Sequence, residues 1–275
     1  MRFRASHVEI KSAREIDAMR EVCRLAADTL VRVGRILVPG MTTEEINTFV
    51  HQDTLAKGAI PAPLNYHGFP KSVCTSLNEV VCHGIPTPNQ RLRDGDIINV
   101  DVTHIYEGFF GDTSATFYIG EVSERSKLIT EISRKSLELA IAEVKPGARL
   151  GDIGAAIQEF AEPLGCSVVE AFVGHGIGRK FHDEPQVPHV GKRGKGLRLR
   201  PGMTFTIEPM INLGTKEVTI LDDDWTAVTA DGELSAQFEH TILVTETGCD
   251  VLTARAEPLA NSELYPDYWE RRSRS

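Results

Sequence analysis

One phrase occurs twice in this chain. Residues 91–101 read RLRDGDIINVD and residues 198–208 read RLRPGMTFTIE, 107 positions later. Each copy has glycine at its fifth place, runs into a β-branched and apolar segment, and ends on a carboxylate. The same offset carries Pro39-Gly40 onto Pro146-Gly147, Glu45 onto Asp152, Ile46 onto Ile153, Gly58 onto Gly165 and Gly95 onto Gly202. A single matched pair is easily chance. A turn, a helix, a helix-ending glycine and an acid-tipped strand in one register imply two halves built on one plan.

The spacing of apolar residues agrees. Ile16, Met19, Val22, Leu25, Ala26, Leu30 and Val33 predict a helix over 12–37, and Leu128, Ile132, Leu137, Leu139 and Ala140 one over 126–144. A Pro-Gly turn follows each, then a second helix at 42–57 and at about 149–163. Thr42 or Thr43, and Asp152, stand where a side-chain oxygen satisfies free helix-start amides. Segments rich in β-formers with Gly, Pro and Asn breaks come next. Helix, helix, strands in each half indicates α+β rather than a doubly wound sheet. Two halves sharing one sheet form one domain, with a cleft on the pseudo-two-fold axis. The domain is placed at 1–252, with halves at about 12–122 and 123–252. The polar stretch 253–275 is expected to be a tail. Arg-Leu-Arg is read as the solvated approach to each inner strand.

Composition narrows the partners. At 41% hydrophobic the chain carries enough apolar mass for a sizeable core, and its net charge of −9 argues against DNA or other nucleic acid bound through a general basic face. No apolar run approaches the ~20 residues of a membrane span, and no apolar segment of a secretory signal follows the start. Five cysteines, an odd number with no Cys-x-x-Cys, speak against a disulfide framework or a zinc ribbon and for a reducing, cytoplasmic setting.

The strand acids carry the chemistry. Asp101 ends an apolar strand, and Asp112 lies eleven residues on, past a turn at Glu107-Gly108. A hairpin there sets both on one face, since side chains two apart share a face. Glu208 and Glu239 repeat the arrangement, with a connection twenty residues longer holding Asp222-Asp223-Asp224 and Trp225. Any one of these acids could pair with a buried cation. Four cannot, because no Lys or Arg lies in these strand cores, and unpaired buried carboxylates are costly or protonated. Shared divalent metal ions resolve the conflict.

Both halves also carry His-Gly-Ile, at His83 and His175, and His182 follows seven residues after the second. Glycine permits close approach of backbone to a ligand. One imidazole with four carboxylates makes five ligands, enough for two metals with bridging acids and a water or hydroxide between them. The other two imidazoles are left to contact substrate or move protons. His7, His51, His67, His104 and His189 are read as ordinary surface or core residues. This much indicates metal-assisted hydrolysis of an unnamed substrate.

The motifs Asn65-Tyr66-His67-Gly68-Phe69-Pro70-Lys71-Ser72-Val73-Cys74, Asn78-Glu79-Val80-Val81-Cys82-His83-Gly84-Ile85-Pro86, His175-Gly176-Ile177-Gly178, Thr206-Ile207-Glu208-Pro209 and Glu239-His240-Thr241 go further. With the Asp101/Asp112 pair they resemble the type I methionine aminopeptidases, a pita-bread metallopeptidase family, over roughly residues 8–252. The resemblance implies a curved antiparallel sheet shared by two pseudo-symmetric halves, with helices on its outer face. It implies that Asp112 and Glu239 bridge two ions, with Asp101 on one and His175 and Glu208 on the other. The implied ions are Fe(II), Mn(II) or Co(II). The implied reaction removes the N-terminal methionine of nascent proteins and peptides when the second residue is small, by attack of a hydroxide activated by the two metals.

The same resemblance gives Glu208 the proton, His182 the carbonyl oxygen and His83 the scissile amide or its leaving nitrogen. It lines the methionine pocket with Tyr66, Phe69, Cys74, Phe181 and Trp225, where a thioether suits aromatic and sulfur neighbours. It puts a monovalent cation near Asn78, Val80 and Ser235. Family members often have cysteine where this chain has Pro63, and some have tyrosine at Phe69, which leaves the pocket outline less defined than the metal ligands. The short gap between His182 and Glu208 and the absence of a Cys/His-rich extension match a compact type I enzyme, expected to be a monomer. Lys192-Arg193-Gly194-Lys195 and Arg198-Leu199-Arg200 form a basic patch, read as a solvated loop or as a transient ribosome contact. Proline-specific aminopeptidases and prolidases share the implied fold and ligands, and a peptide panel separates them. A non-catalytic member of the fold would lack ligands that this chain has.

Overall fold

The computed structural model describes residues 8–262. Its four helices, α1 (Ala13–Ile36), α2 (Thr43–Ala56), α3 (Glu124–Ala142) and α4 (Leu150–Ala161), fall within two residues of the expected starts and ends. Their beginnings show why. The Thr42 amide donates to the Glu45 carboxylate at 2.6 Å, and the Arg149 amide to Asp152 at 2.7 Å. The repeat-related acids Glu45 and Asp152 thus do one job: each satisfies an orphan amide and sets negative charge at the positive end of a helix. The repeated glycines also share a backbone need. Gly40 and Gly147 have φ of 91° and 88°, Gly95 and Gly202 of 97° and 83°, a region that side-chain-bearing residues rarely adopt.

Arg-Leu-Arg differs from expectation. Leu92 and Leu199 are each 1% exposed and sit in the main core. The Gly40 amide donates to the Leu92 carbonyl at 2.7 Å, and the Gly147 amide to that of Leu199 at 3.0 Å. Thr42 bridges Arg91 and Arg149 bridges Arg198. The phrase is therefore a stitch, not a solvated approach: it ties the turn before the second helix of each half to the foot of the inner strand. Only the arginines face water.

The first half supplies strands β1 (Ile60–Pro61), β2 (Cys74–Leu77), β3 (Val80–Cys82), β4 (Ile97–Tyr106) and β5 (Phe109–Tyr118). The second supplies β6 (Ser167–Val168), β7 (Gly174–Gly176), β8 (Asp183–Val187), β9 (Thr204–Ile207), β10 (Met210–Asn212), β11 (Val218–Ile220), β12 (Ala227–Thr229), β13 (Ser235–Gln237), β14 (His240–Val244) and β15 (Cys249–Val251). All pairings are antiparallel. One sheet runs β1-β4-β2 with β5 on β4, and its counterpart runs β15-β14-β9-β7-β8. Smaller sheets are β13-β10-β6 and β11-β12-β3, the latter crossing between halves.

Polar side chains sew the halves together at their centre. Thr241 Oγ1 donates to the Asp112 carbonyl at 2.8 Å and Thr113 Oγ1 to the Glu239 carbonyl at 2.9 Å. Asn99 Nδ2 and Thr116 Oγ1 both donate to the Gln237 carbonyl at 2.8 Å. The backbones of Asp112 and Glu239 are thereby each tied to a threonine of the opposite half. Helix α1 lies on β4 and β5 and buries Met19, Val22, Cys23, Ala26, Leu30 and Val33, the larger of these contributing ~1.5–3 kcal/mol each. At Gly111 a Cβ would lie 2.8 Å from α1 backbone, so glycine permits this approach.

Residues 253–262 also pack on the domain. The Tyr118 amide donates to the Asn261 carbonyl at 2.6 Å, Ser262 Oγ to the Thr116 carbonyl at 2.8 Å, and Leu259 is buried. The rest of the expected tail, 263–275, lies outside the described residues, as does His7. The five cysteines are unpaired. No helix among the described residues is long and apolar enough to cross a membrane.

Candidate active site

The β4/β5 hairpin sets Thr103 opposite Asp112 and Asp101 opposite Ser114. Asp101, two residues from Thr103, therefore shares a face with Asp112. Across the cleft, β9 pairs with β14 as far as Ile207 and His240, so Glu208 and Glu239 are the next residues out. On the other side of β9 stands β7, Gly174-His175-Gly176. A Cβ on Gly174 would lie 2.4 Å from the Thr206 carbonyl oxygen, and one on Gly176 2.1 Å from that of Glu184. The flanking glycines let β8 and β9 close on β7 and leave His175 as the one side chain it projects into the cleft.

A cavity of about 110 Å³ gathers the residues singled out in the sequence. Asp101, Asp112, His175, Glu208 and Glu239 line its floor with His83 and His182, and Tyr66, Phe69, Cys74, Phe181 and Trp225 line its walls. Pro63 and Thr103 complete it. Ligand atoms of Asp112, His175 and Glu239 lie within 4.8 Å of one another. His175 Nε2 stands 3.6 Å from Glu208 Oε1 and 3.7 Å from Asp112 Oδ2, too far for hydrogen bonds. Its Nδ1 lies 3.2 Å from the Gly176 carbonyl oxygen. That carbonyl can only accept, so Nδ1 carries the proton and the Nε2 lone pair faces the acids.

The electrostatics are those of a site short of positive charge. Burial, with little relief from neighbours, pushes the Asp101 carboxyl up to about 6. Burial, then repulsion from Asp101, raises Asp112 far above the carboxylate range. Glu239 is raised by burial and by Asp112, and Glu208 is pushed up to about 8, chiefly by burial. Burial pulls His175 down to about 3 and His182 to about 4, and lowers His83 as well. No Lys or Arg is among the described residues lining the cavity. Asp101 Oδ1 and Glu239 Oε1 are buried without hydrogen-bond partners. Unpartnered anionic oxygens facing an imidazole lone pair fit divalent cations, and nothing else in the cavity satisfies them.

The walls come from loops that the sequence placed beside these strands. Tyr66 Oη lies 2.8 Å from His182 Nδ1, with the Phe181 ring 4.9 Å from that of Tyr66. The long connection of the second half folds into β11 and β12. Because β12 pairs with β3, which ends just before His83, the insertion returns Trp225 to the cleft. The indole lies 5.2 Å from the Phe69 ring and 6.0 Å from His83. His83 itself has φ of 57°, unusual for a residue with a side chain and a mark of a constrained position.

Sequence reasoning missed the residues that hold the acids. Thr103 Oγ1 donates to Asp112 Oδ1 and Thr206 Oγ1 to Glu208 Oε1, both at 2.7 Å. Gln237 Nε2 lies 3.3 Å from Glu208 Oε2, and the Glu208 amide donates to His189 Nε2 at 3.2 Å. A usable signal was present for three of these: Thr103, Thr206 and Gln237 each sit two residues from a site acid, hence on its face of the strand. His189 had no such signal. Of the histidines set aside, His104 is buried against Thr54 Oγ1 at 3.0 Å and His51 bonds Ser72 Oγ at 2.9 Å, both away from the acids. His67 stacks edge-on to Tyr66, beside the cavity.

A family model described as metallopeptidase family M24 matches residues 17–246. The chain is 56% identical over 246 residues to methionine aminopeptidase A of Synechocystis sp., spanning 90% of this chain and 97% of that protein. It is 49% identical over 251 residues to the methionine aminopeptidase of Escherichia coli K12, spanning 91% and 95%. It superposes on the crystal structure of methionine aminopeptidase from Rickettsia prowazekii with a TM-score of 0.89 and 46% identity, covering 90% of this chain and all of that one.

Proposed function

This chain belongs to the methionine aminopeptidases of metallopeptidase family M24, and on that premise we propose how its residues divide the work. The enzyme removes N-terminal methionine from polypeptide chains. Asp101, Asp112, His175, Glu208 and Glu239 would hold two divalent ions. Fe(II), Mn(II) and Co(II) all suit this oxygen-rich set with one imidazole. When bound, the ions supply Lewis acidity to the scissile carbonyl and acidify a water. The observation that carries this reading is the cluster of four acids lining one cavity, with Asp112, Glu208 and Glu239 close to His175 and no lysine or arginine among the cavity's described residues.

Glu208, its carboxylate positioned by Thr206 Oγ1 and Gln237 Nε2, accepts a proton from the attacking water. Tyr66 Oη lies 2.8 Å from His182 Nδ1, and in the proposed arrangement its O–H is the donor. That leaves the His182 proton on Nε2, where it stabilises the developing oxyanion of the carbonyl. His83, neutral in its buried setting, orients the scissile amide. Tyr66, Phe69, Cys74, Phe181 and Trp225 enclose the methionine side chain, a flexible thioether with favourable sulfur–aromatic contacts. The cavity is small, and a small second residue is the one that passes its mouth.

The finer setting is part of the same proposal. The enzyme acts as a cytoplasmic monomer on nascent chains, with a transient ribosome contact through Lys192, Lys195, Arg198 and Arg200, which are exposed on one stretch. A monovalent cation binds near Asn78, Val80 and Ser235. In support, Asn78 has φ of 52°, its carbonyl meets the Ser235 amide at 2.9 Å, and Ser235 Oγ is buried without a hydrogen-bond partner. The test is a peptide panel with metal supplied anaerobically. Met-Ala-Ser is cleaved and X-Pro peptides are not; cleavage of X-Pro alone overturns the reading. Metal analysis of protein purified without added metal, with activity per metal bound, identifies the ion.

A further inference from the structure

Glu208 stands at a break. The strand before it, β9, belongs to the five-stranded sheet, and the strand after Pro209, β10, belongs to a different one. The ladder of β9 on β14 ends at Ile207, so no strand receives the Glu208 amide. A side chain does. The amide donates to Nε2 of His189 at 3.2 Å, and His189 is 1% exposed, in the stretch following β8. The carboxylate of Glu208 is held separately, by Thr206 Oγ1 on Oε1 and Gln237 Nε2 on Oε2. Three groups from three segments therefore fix this one residue: His189 takes its amide, and Gln237 Nε2 also reaches its carbonyl at 3.5 Å.

We propose that His189 is a positioning residue for Glu208, acting as a backbone acceptor in one obligatory tautomer. An amide N–H can donate only to a ring nitrogen with a free lone pair, so Nε2 is unprotonated and the ring proton sits on Nδ1, which is buried with no hydrogen-bond partner. Were Nε2 protonated, two donors would face each other in a buried site and the Glu208 amide would be orphaned. The backbone would then relax, and the carboxylate, three bonds from Cα, would move with it. Displacements on the ångström scale at a reacting group are enough to lower rate substantially. An acceptor of similar reach preserves the function of His189, whereas an apolar side chain of similar size does not.

This inference rests on Glu208 acting in the proposed reaction, and two measurements test it. The first needs no variant. Long-range proton–nitrogen NMR of protein loaded with diamagnetic Zn(II) and labelled with nitrogen-15 histidine reports which ring nitrogen is protonated. The His189 signals, assigned by their loss in His189→Gln, show Nδ1 protonated and Nε2 bare; a protonated Nε2 overturns the proposal. The second compares His189→Gln, which keeps an acceptor, with His189→Leu, which does not. On Met-Ala-Ser the Leu variant loses about tenfold in kcat with KM within about threefold, and its Mn(II) affinity by calorimetry falls about tenfold, the size of one lost hydrogen bond. The Gln variant recovers most of both. Equal loss in the two variants, or a Leu variant with wild-type kcat and Mn(II) affinity, overturns it. Should the Leu variant not fold, the NMR result and the Gln variant decide: a bare Nε2 with near-wild-type kcat supports the proposal, and a tenfold loss in the Gln variant sinks it. If the wild type does not cleave Met-Ala-Ser, the reading of the site has failed; wild-type turnover with an unaffected Leu variant refutes the positioning role alone.

Discussion

Removing one acid should make the metal-free protein more stable and the metal-loaded protein less so. Asp101 is the cleanest place to look, because its Oδ1 is buried with no hydrogen-bond partner. Its carboxyl is raised from the ordinary 3.8 to about 6, mainly by burial. The sign follows from linkage. The folded state holds the Asp101 proton more tightly than the unfolded chain does, so stability is lost as pH rises from about 4 to about 6 and stays lost above that. At 1.36 kcal/mol per pH unit, the interval from 3.8 to about 6 amounts to ~3 kcal/mol at pH 7.5. Asp101→Asn has no proton to lose, and its amide can donate to a neighbouring carboxylate. Urea unfolding of chelator-treated protein at pH 7.5 should therefore show the variant more stable by ~3 kcal/mol, with the gain fading towards pH 4. Saturating Mn(II) should invert the order. A ligand at 1,000 times its Kd stabilises by ~4.1 kcal/mol, more than the ~3 kcal/mol gap, so a variant that lacks one charged ligand and gains little from the metal is overtaken. A variant equal to or weaker than wild type without metal at pH 7.5 would show that the acids are not in electrostatic conflict. The metal argument would then lose its foundation.

Four further changes probe separate parts of the site. His182→Ala should lower kcat by ~100-fold, the scale of a lost oxyanion donor, with bound metal unchanged. Glu208→Ala should lose both turnover and metal, and equal metal loss in the two would make His182 a ligand. Tyr66→Phe frees the His182 tautomer that the 2.8 Å contact selects; kcat should fall about tenfold, one hydrogen bond's worth, with KM within about threefold, and an unchanged kcat would dismiss the tautomer argument. Gly176→Ala places a methyl 2.1 Å from the Glu184 carbonyl oxygen. Thermal unfolding should show destabilisation of ~3 kcal/mol from overpacking, and a stability within ~0.5 kcal/mol of wild type would mean that β7 and β8 can part freely.

What could be read from the sequence was whatever a backbone or a charge forces locally. Gly40 and Gly147 were visible as partners because one positive φ is needed twice, and Glu45 and Asp152 because two helix starts need the same carboxylate. The four acids were legible because an apolar strand cannot hold them without a cation. Arg-Leu-Arg was misread for a complementary reason. Its one apolar residue sits between two exposed arginines, so periodicity gave a single leucine to judge, and its burial depends on a turn fifty residues earlier that supplies its hydrogen-bond partners. Trp225 was legible as a residue of the insertion, but its place beside His83 depends on β12 choosing β3 as partner, a pairing across halves that no local pattern encodes. His189 is the extreme case. Its setting contains no glycine motif, no neighbouring acid and no periodic partner, and what makes it matter is an amide left over where the chain passes from one sheet to another. A residue whose role is to complete another residue's backbone carries no sequence signal of its own. It becomes visible only when each buried amide is traced to its acceptor.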